Sequence, residues 1–164
     1  MQYAPRSFLK NWRLRLSALL FTIAVLIMFG ASSEPVWAAR IAGATAPTQQ
    51  PLTEVRVHLG NPANELKFEP SQLTFEAGKR YKLFLDNPSA QKHYFTAKDF
   101  ADSIWTQKVE AGSVEVKGAI DELELKAGAG AEWIFVAMKP GDYALHCSIP
   151  GHAEAGMTGS LTIR

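Results

Sequence analysis

The stretch Pro140-Gly141-Asp142-Tyr143-Ala144-Leu145-His146-Cys147-Ser148-Ile149-Pro150-Gly151-His152-Ala153-Glu154-Ala155-Gly156-Met157 carries two signals at once. Pro140-Gly141 turns the chain into a strand over Tyr143 to Cys147. A tyrosine just after such a turn fits the tyrosine corner, a device of Greek-key sandwiches. The remainder sets a thiol, an imidazole and a thioether in a row, with four residues between Cys147 and His152 and four between His152 and Met157. All three are soft or borderline donors, a set that suits copper and argues against Mg²⁺ or Ca²⁺. Pro150-Gly151 lets the chain fold back after Cys147, and Ala153 to Ala155 makes a single helical turn before Gly156 presents Met157.

Upstream, the chain is a series of short alternating runs. Thr53 to Gly60 sets Val55, Val57 and Leu59 against Glu54, Arg56 and His58, the period of a half-buried strand. Asn61-Pro62-Ala63-Asn64 ends it. Leu66, Phe68, Leu73 and Phe75 keep the alternation around Pro70, and Ala77-Gly78-Lys79 is a turn. Arg80 to Asp86 places Tyr81, Leu83 and Leu85 on one face, Asn87-Pro88-Ser89-Ala90 breaks that strand, and His93-Tyr94-Phe95 follows. Lys98 to Trp105 reads as a short helix with Phe100, Ile104 and Trp105 facing inward. Val109, Val114 and Val116, then Ile120, Leu123 and Leu125, give two more runs. Trp133 to Ala137 is continuously apolar, as a central strand is, and Gly159 to Ile163 closes the chain. Trp105 and Trp133 are assigned to the core, where a small sandwich needs their area. Seven or eight short strands between Gly, Pro and Asn turns predict an all-β, Greek-key antiparallel β-sandwich.

The N-terminus reads as an export signal. Arg6, Lys10, Arg13 and Arg15 precede an apolar run from Leu16 to Phe29, and Val36-Trp37-Ala38 offers small residues where a signal peptidase reads. That run has 14 residues, whereas a spanning helix needs about 20, so residues 1–38 are expected to be cleaved and the mature form to be free of the membrane. A retained anchor is the alternative. Residues 39–52, rich in Ala, Thr, Pro and Gln, form a flexible lead-in to a single domain over residues 53–164. The whole chain carries 17 basic and 16 acidic residues, and the signal takes four of the former and one of the latter. The mature body is then near −2, with no basic stripe for nucleic acid. Export places it in a periplasm or a thylakoid lumen. Cys147 is the lone cysteine, and in such a compartment an exposed thiol would oxidise. It is either buried as a small apolar residue or bound to a metal.

The thiol-imidazole-thioether set needs one more imidazole. His146 adjoins Cys147 on a strand and points to the opposite face. His58 sits mid-strand on a polar face. His93 follows a turn, where a sandwich brings loops of one end together, and is the choice, with His58 in reserve. His93, Cys147 and His152 with Met157 as a weak axial ligand are the donors of a blue-copper site. Taken alone, Met157 also suits the core.

The order His93, then Pro140-Gly141-Asp142-Tyr143, then Cys147, His152 and Met157, then a closing strand, resembles the cupredoxin family of type 1 copper proteins. Phe68 to Gly78 resembles that family's early strands, so the likeness covers roughly Thr53 to Arg164. It implies a Greek-key sandwich, one type 1 copper ion per chain, and electron transfer through the exposed edge of His152. Many members follow the first histidine with an asparagine that ties the two copper loops together. Tyr94 stands there in this chain, and Asn87 is the candidate substitute. The stretch from Lys98 to Lys126 is also longer than in the smallest members.

The expected function is that of a one-electron carrier, not an enzyme, monomeric and meeting other redox proteins transiently. Pro150, Gly151, Ala153 and Ala155 are the candidate apolar patch for such meetings. Copper delivery or sequestration is the alternative, since a thiolate and a thioether also suit Cu(I). A third reading makes the chain the electron-transfer domain of a copper enzyme. The His146-Cys147 dipeptide resembles copper nitrite reductases and multicopper oxidases, where such a histidine holds a second copper. On this chain His58 is the only imidazole left to complete it.

Overall fold

The alternating runs become eleven strands: β1 (Thr53–Leu59), β2 (Phe68–Glu69), β3 (Gln72–Phe75), β4 (Arg80–Asp86), β5 (His93–Thr96), β6 (Ile104–Ala111), β7 (Val114–Val116), β8 (Glu122–Leu125), β9 (Gly130–Ala137), β10 (Gly141–His146) and β11 (Thr158–Ile163). The structure, a computed structural model, describes residues 46–164. The signal peptide assigned to residues 1–38 and the start of the lead-in lie outside the described residues. The described part of the lead-in forms a 3₁₀ turn, Pro47–Gln49, and the Gln50 carbonyl accepts from Arg80 Nη1 at 3.3 Å.

Two sheets face each other, one ordered β2-β1-β4-β9-β6-β7 and the other β3-β11-β10-β5-β8. Period-2 alternation sends Val57, Leu59, Leu83, Leu85, Trp133 and Phe135 of the first sheet, and Phe75, Phe95, Leu145, Leu161 and Ile163 of the second, into one shared core. Each such side chain, fully buried, contributes about 1.5–3 kcal/mol. Phe75, Phe100, Trp133 and Phe135 meet edge to face or tilted, with Phe75 to Phe135 at 5.4 Å and Phe100 to Phe135 at 5.5 Å between centroids. Trp133 keeps its indole N–H satisfied by donating to Thr106 Oγ1 at 3.0 Å. The apolar run at its centre is β9, hydrogen-bonded between β4 and β6.

The Greek-key β-sandwich expected from the sequence is present, with differences that have local causes. The described residues hold eleven strands rather than seven or eight. One reason is Pro70: it has no N–H for a ladder, so the run from Leu66 to Phe75 splits there, β2 joining the first sheet and β3 the second. The sheets are mixed, because β1 pairs parallel with β4 and β11 parallel with β3. The helix is shorter than the sequence implies: α1 spans only Lys98–Ala101. Past it the period changes to two, Phe100 and Thr106 stay inside, and Trp105 faces out at 45% exposure. The core assignment holds for Trp133 and fails for Trp105.

The tyrosine corner is formed. Tyr143 Oη donates to the Lys139 carbonyl at 2.7 Å, four residues upstream, and clamps the turn that leads into β10.

Candidate metal centre

Two segments supply the donors. The first is the start of β5, where His93 follows the loop of residues 87–92 and lies opposite Leu125 of β8. The second is the loop after β10. Cys147 N–H donates to the Met157 carbonyl at 3.1 Å, so the loop's first and last residues are joined. Between them Gly151 (φ +86°) and Gly156 (φ +107°) take left-handed conformations that other residues rarely adopt. His152 N–H to Ile149 O, Ala155 N–H to Gly151 O and Met157 N–H to His152 O wind the interior into successive hydrogen-bonded turns, without the helix expected over Ala153 to Ala155. Cys147 and His152 therefore project from one closed ring of backbone.

One donor atom from each of His93, Cys147 and His152 lies within 4.8 Å of the others. His152 Nδ1 is 3.6 Å from Cys147 Sγ, and the two imidazole centroids are 5.3 Å apart. Among the described residues this is the one group of three or more His, Cys, Asp or Glu side chains drawn together in this way. His93 and Cys147 are each 1% exposed, His152 is part-exposed, and Met157 is fully buried. Burial, with His152 beside it, holds the His93 imidazole below the usual histidine range. A neutral ring is the form that offers a lone pair to a metal.

The donor set fits copper on two grounds. Both ring nitrogens of His93 are buried without a hydrogen-bond partner, at a cost of about 1–3 kcal/mol for each unsatisfied group, and a metal bond satisfies one of them. The nearby donors are a thiol and a second imidazole, which suit copper better than a hard cation. The Nε2–Cδ2 edge of His93 packs at Gly60, where a Cβ would sit 3.0 Å from Nε2.

The other two histidines stand apart. His58 Nδ1 is 2.8 Å from Asp86 Oδ2 on the outer face of the first sheet. His146 ends β10 exposed, its backbone opposite Thr96 and Thr158. The tie between the two donor segments is the Tyr94 N–H, which donates to Cys147 Sγ at 3.4 Å. Asn87 does not tie the loops together. Its side chain bonds Gln91 O, Leu125 O and Ser89. Gly60 and Ser89 around His93 are residues the sequence analysis did not single out. The turn-forming Asn-Pro-Ser composition was the signal available there.

Residues 55–164 match the family described as copper binding proteins, plastocyanin/azurin family. The copper-resistant cuproprotein CopI of Rubrivivax gelatinosus is 26% identical over 109 residues, which are 62% of this chain and 62% of that protein. This chain thus spans less than two thirds of that relative's length. Auracyanin from Roseiflexus castenholzii superposes with a TM-score of 0.50 at 20% identity, over 68% of this chain and 97% of that one. The copper-containing nitrite reductase NirK of Thermus scotoductus SA-01 superposes with a TM-score of 0.52 at 12% identity, over 77% of this chain and 33% of that one. At these identities the two structures speak for the fold alone. With the family's sequence pattern running from the first strand to the last residue, on a two-sheet sandwich that gathers a histidine, a cysteine and a second histidine, this chain is a cupredoxin and belongs to the plastocyanin/azurin family of copper binding proteins.

Proposed function

We propose that the protein is an exported one-electron carrier that holds a single type 1 copper ion at His93, Cys147, His152 and Met157, and that it is not itself an enzyme. The observation that carries this is the clustering of His93, Cys147 and His152 donors within 4.8 Å at the end of a close-packed sandwich. Copper bound there supplies one-electron chemistry between Cu(I) and Cu(II). Cys147 gives a thiolate inside the protein, His93 a buried imidazole, and Met157 a soft, weak fourth donor. The closed loop from Cys147 to Met157 and the sheets beneath it keep these side chains from rearranging between the two oxidation states. His152 alone of the first three is part-exposed, and its outer edge is the contact for a partner.

The partners are other redox proteins met transiently as a monomer, in a periplasm or a lumen. The basic and apolar pattern of residues 1–29 supports export. Spectroscopy of the copper-loaded mature chain tests the reading. An intense thiolate-to-copper charge-transfer band is expected, and Cys147→Ala abolishes it while the far-ultraviolet dichroism of the sandwich persists. A colourless copper complex of the wild type overturns the proposal.

A second reading, copper delivery or sequestration, draws on the relative named as a copper-resistant cuproprotein. Fast copper transfer to a chelating acceptor together with slow electron exchange would favour it over the carrier.

A further inference from the structure

We infer that Asn87 and Ser89, neither of them a ligand, are positioning residues that aim the His93 imidazole, an inference that rests on the reading of His93 as a copper ligand. A metal-bound histidine ordinarily gives its other ring N–H to a carboxylate, carbonyl or water, which fixes the ring. Here no described protein group accepts from either His93 nitrogen. The ring's direction therefore depends on where its backbone is held and on what packs against its edge.

Asn87 does the holding. It sits where the chain leaves β4 in one sheet for β5 in the other, and it is 1% exposed. Its side chain fills all four of its hydrogen-bonding positions. Nδ2 donates to Gln91 O at 2.6 Å and to Leu125 O at 2.9 Å. Oδ1 accepts from Ser89 N–H at 3.0 Å and from Ser89 Oγ at 2.8 Å. Leu125 is the residue directly opposite His93 in the β5–β8 register, so one asparagine joins the loop before His93 to the strand across from it. The Asn87 backbone adds bonds to Gly128 and Ala129 in the turn before β9. On the far side of the loop, Asn64 Oδ1 accepts from Ala90 N–H at 2.8 Å.

Ser89 gives the loop its second set of internal bonds, through Oγ. A Cβ on Gly60 would lie 3.1 Å from Ser89 Cβ and 3.0 Å from His93 Nε2, so Gly60 is the residue that packs beside both Ser89 and the inner edge of the ring. Ser89 Oγ also accepts from Gln91 N–H at 3.3 Å. The loop is wound around its own two polar side chains, and the imidazole emerges from it already directed.

The test compares Asn87→Ala and Ser89→Ala with Ser103→Ala. Ser103 Oγ makes a similar hidden bond, to Asp99 O at 2.7 Å, at the end of α1 and outside the donor cluster. Asn87→Ala is expected to lower copper affinity about 10–100-fold and Ser89→Ala on the order of tenfold, the range for residues that orient a metal ligand. Both shift the charge-transfer band and the copper hyperfine splitting. Ser103→Ala lowers the melting temperature but keeps the wild-type spectrum and affinity. In the copper-free proteins, the His93 ring resonances form one sharp set in the wild type and are doubled or exchange-broadened in the first two variants. Folded Asn87→Ala and Ser89→Ala with wild-type ring resonances and an affinity within about twofold of wild type overturn the inference. If Asn87→Ala does not fold, Ser89→Ala decides by the same measures. A wild type without the charge-transfer band defeats the copper reading instead, and the copper-free resonances still decide the positioning role.

Discussion

The four histidines have four different surroundings, and at the residue scale these separate the donors from the rest. His93 is buried with both nitrogens unpartnered, His152 is half out of the protein beside Cys147 Sγ, His58 is bonded to Asp86, and His146 faces solvent. We predict that His58→Ala and His146→Ala each leave the charge-transfer spectrum of the copper-loaded protein as it is, whereas His93→Ala removes it. Loss of the His58–Asp86 contact, with both side chains partly exposed, costs less than about 1 kcal/mol in denaturant unfolding. A His146→Ala variant that lost bound copper would revive the enzyme reading with a second copper. His146 could be set aside from sequence because strand parity is a local property: neighbours on a strand point to opposite faces. His93 is preferred to His58 because it follows a turn, and the fold shows the physical reason. His58 lies on the outer face of its sheet, in register with Asp86 and Glu69, while His93 opens a strand beside the Cys147 loop.

Among the elements, β10 and the loop after it were the most legible, because turn residues, a corner tyrosine and spaced donors all lie within one short stretch. The corner is a stability device and separable from the site. We expect Tyr143→Phe, which removes the bond from Tyr143 Oη to Lys139 O, to destabilise the protein by about 0.5–1.5 kcal/mol in equilibrium unfolding with no change in the copper spectrum. A changed spectrum would show that the corner sets the loop's geometry. Other elements were harder to read. The run through Pro70 looks like one strand by its alternation, yet it is divided between two sheets, because a missing N–H breaks the ladder without disturbing the hydrophobic period. At the end of α1 the period changes within a few residues. A helical pattern carried through to Trp105 put inside a side chain that the strand register of β6 turns outward. Partner choice is equally silent in the sequence: nothing in β1 itself announces that it pairs parallel with β4.

At the scale of the whole molecule, most of the core lies outside the copper loop, and this gives a prediction for metal removal. Cys147 and Met157 sit in the core cluster, but most of it, with Phe75, Phe135, Trp133 and Leu161 fully enclosed, comes from residues outside the loop. A chelator should therefore leave the strand signal in circular dichroism intact while lowering the melting temperature. Copper at about 100 times its dissociation constant stabilises the native state by about 2.7 kcal/mol, or roughly 10 °C for a domain of this size. Loss of the strand signal on chelation would mean that the sandwich forms only around the metal. What the sequence determined by itself was the all-β class, most strand positions, the turns, and the placing of Cys147 and His152 in one loop, because each rests on residues close together in the chain and on periods that local chemistry imposes. What only the tertiary structure decided was how closely His93 approaches Cys147 and His152, which backbone N–H reaches the cysteine sulfur, and how the loop held by Asn87 and Ser89 sets His93 beside Gly60. Those depend on segments far apart in sequence meeting at one end of the sandwich, and their meeting is fixed by sheet order and core packing, which no short stretch of residues encodes.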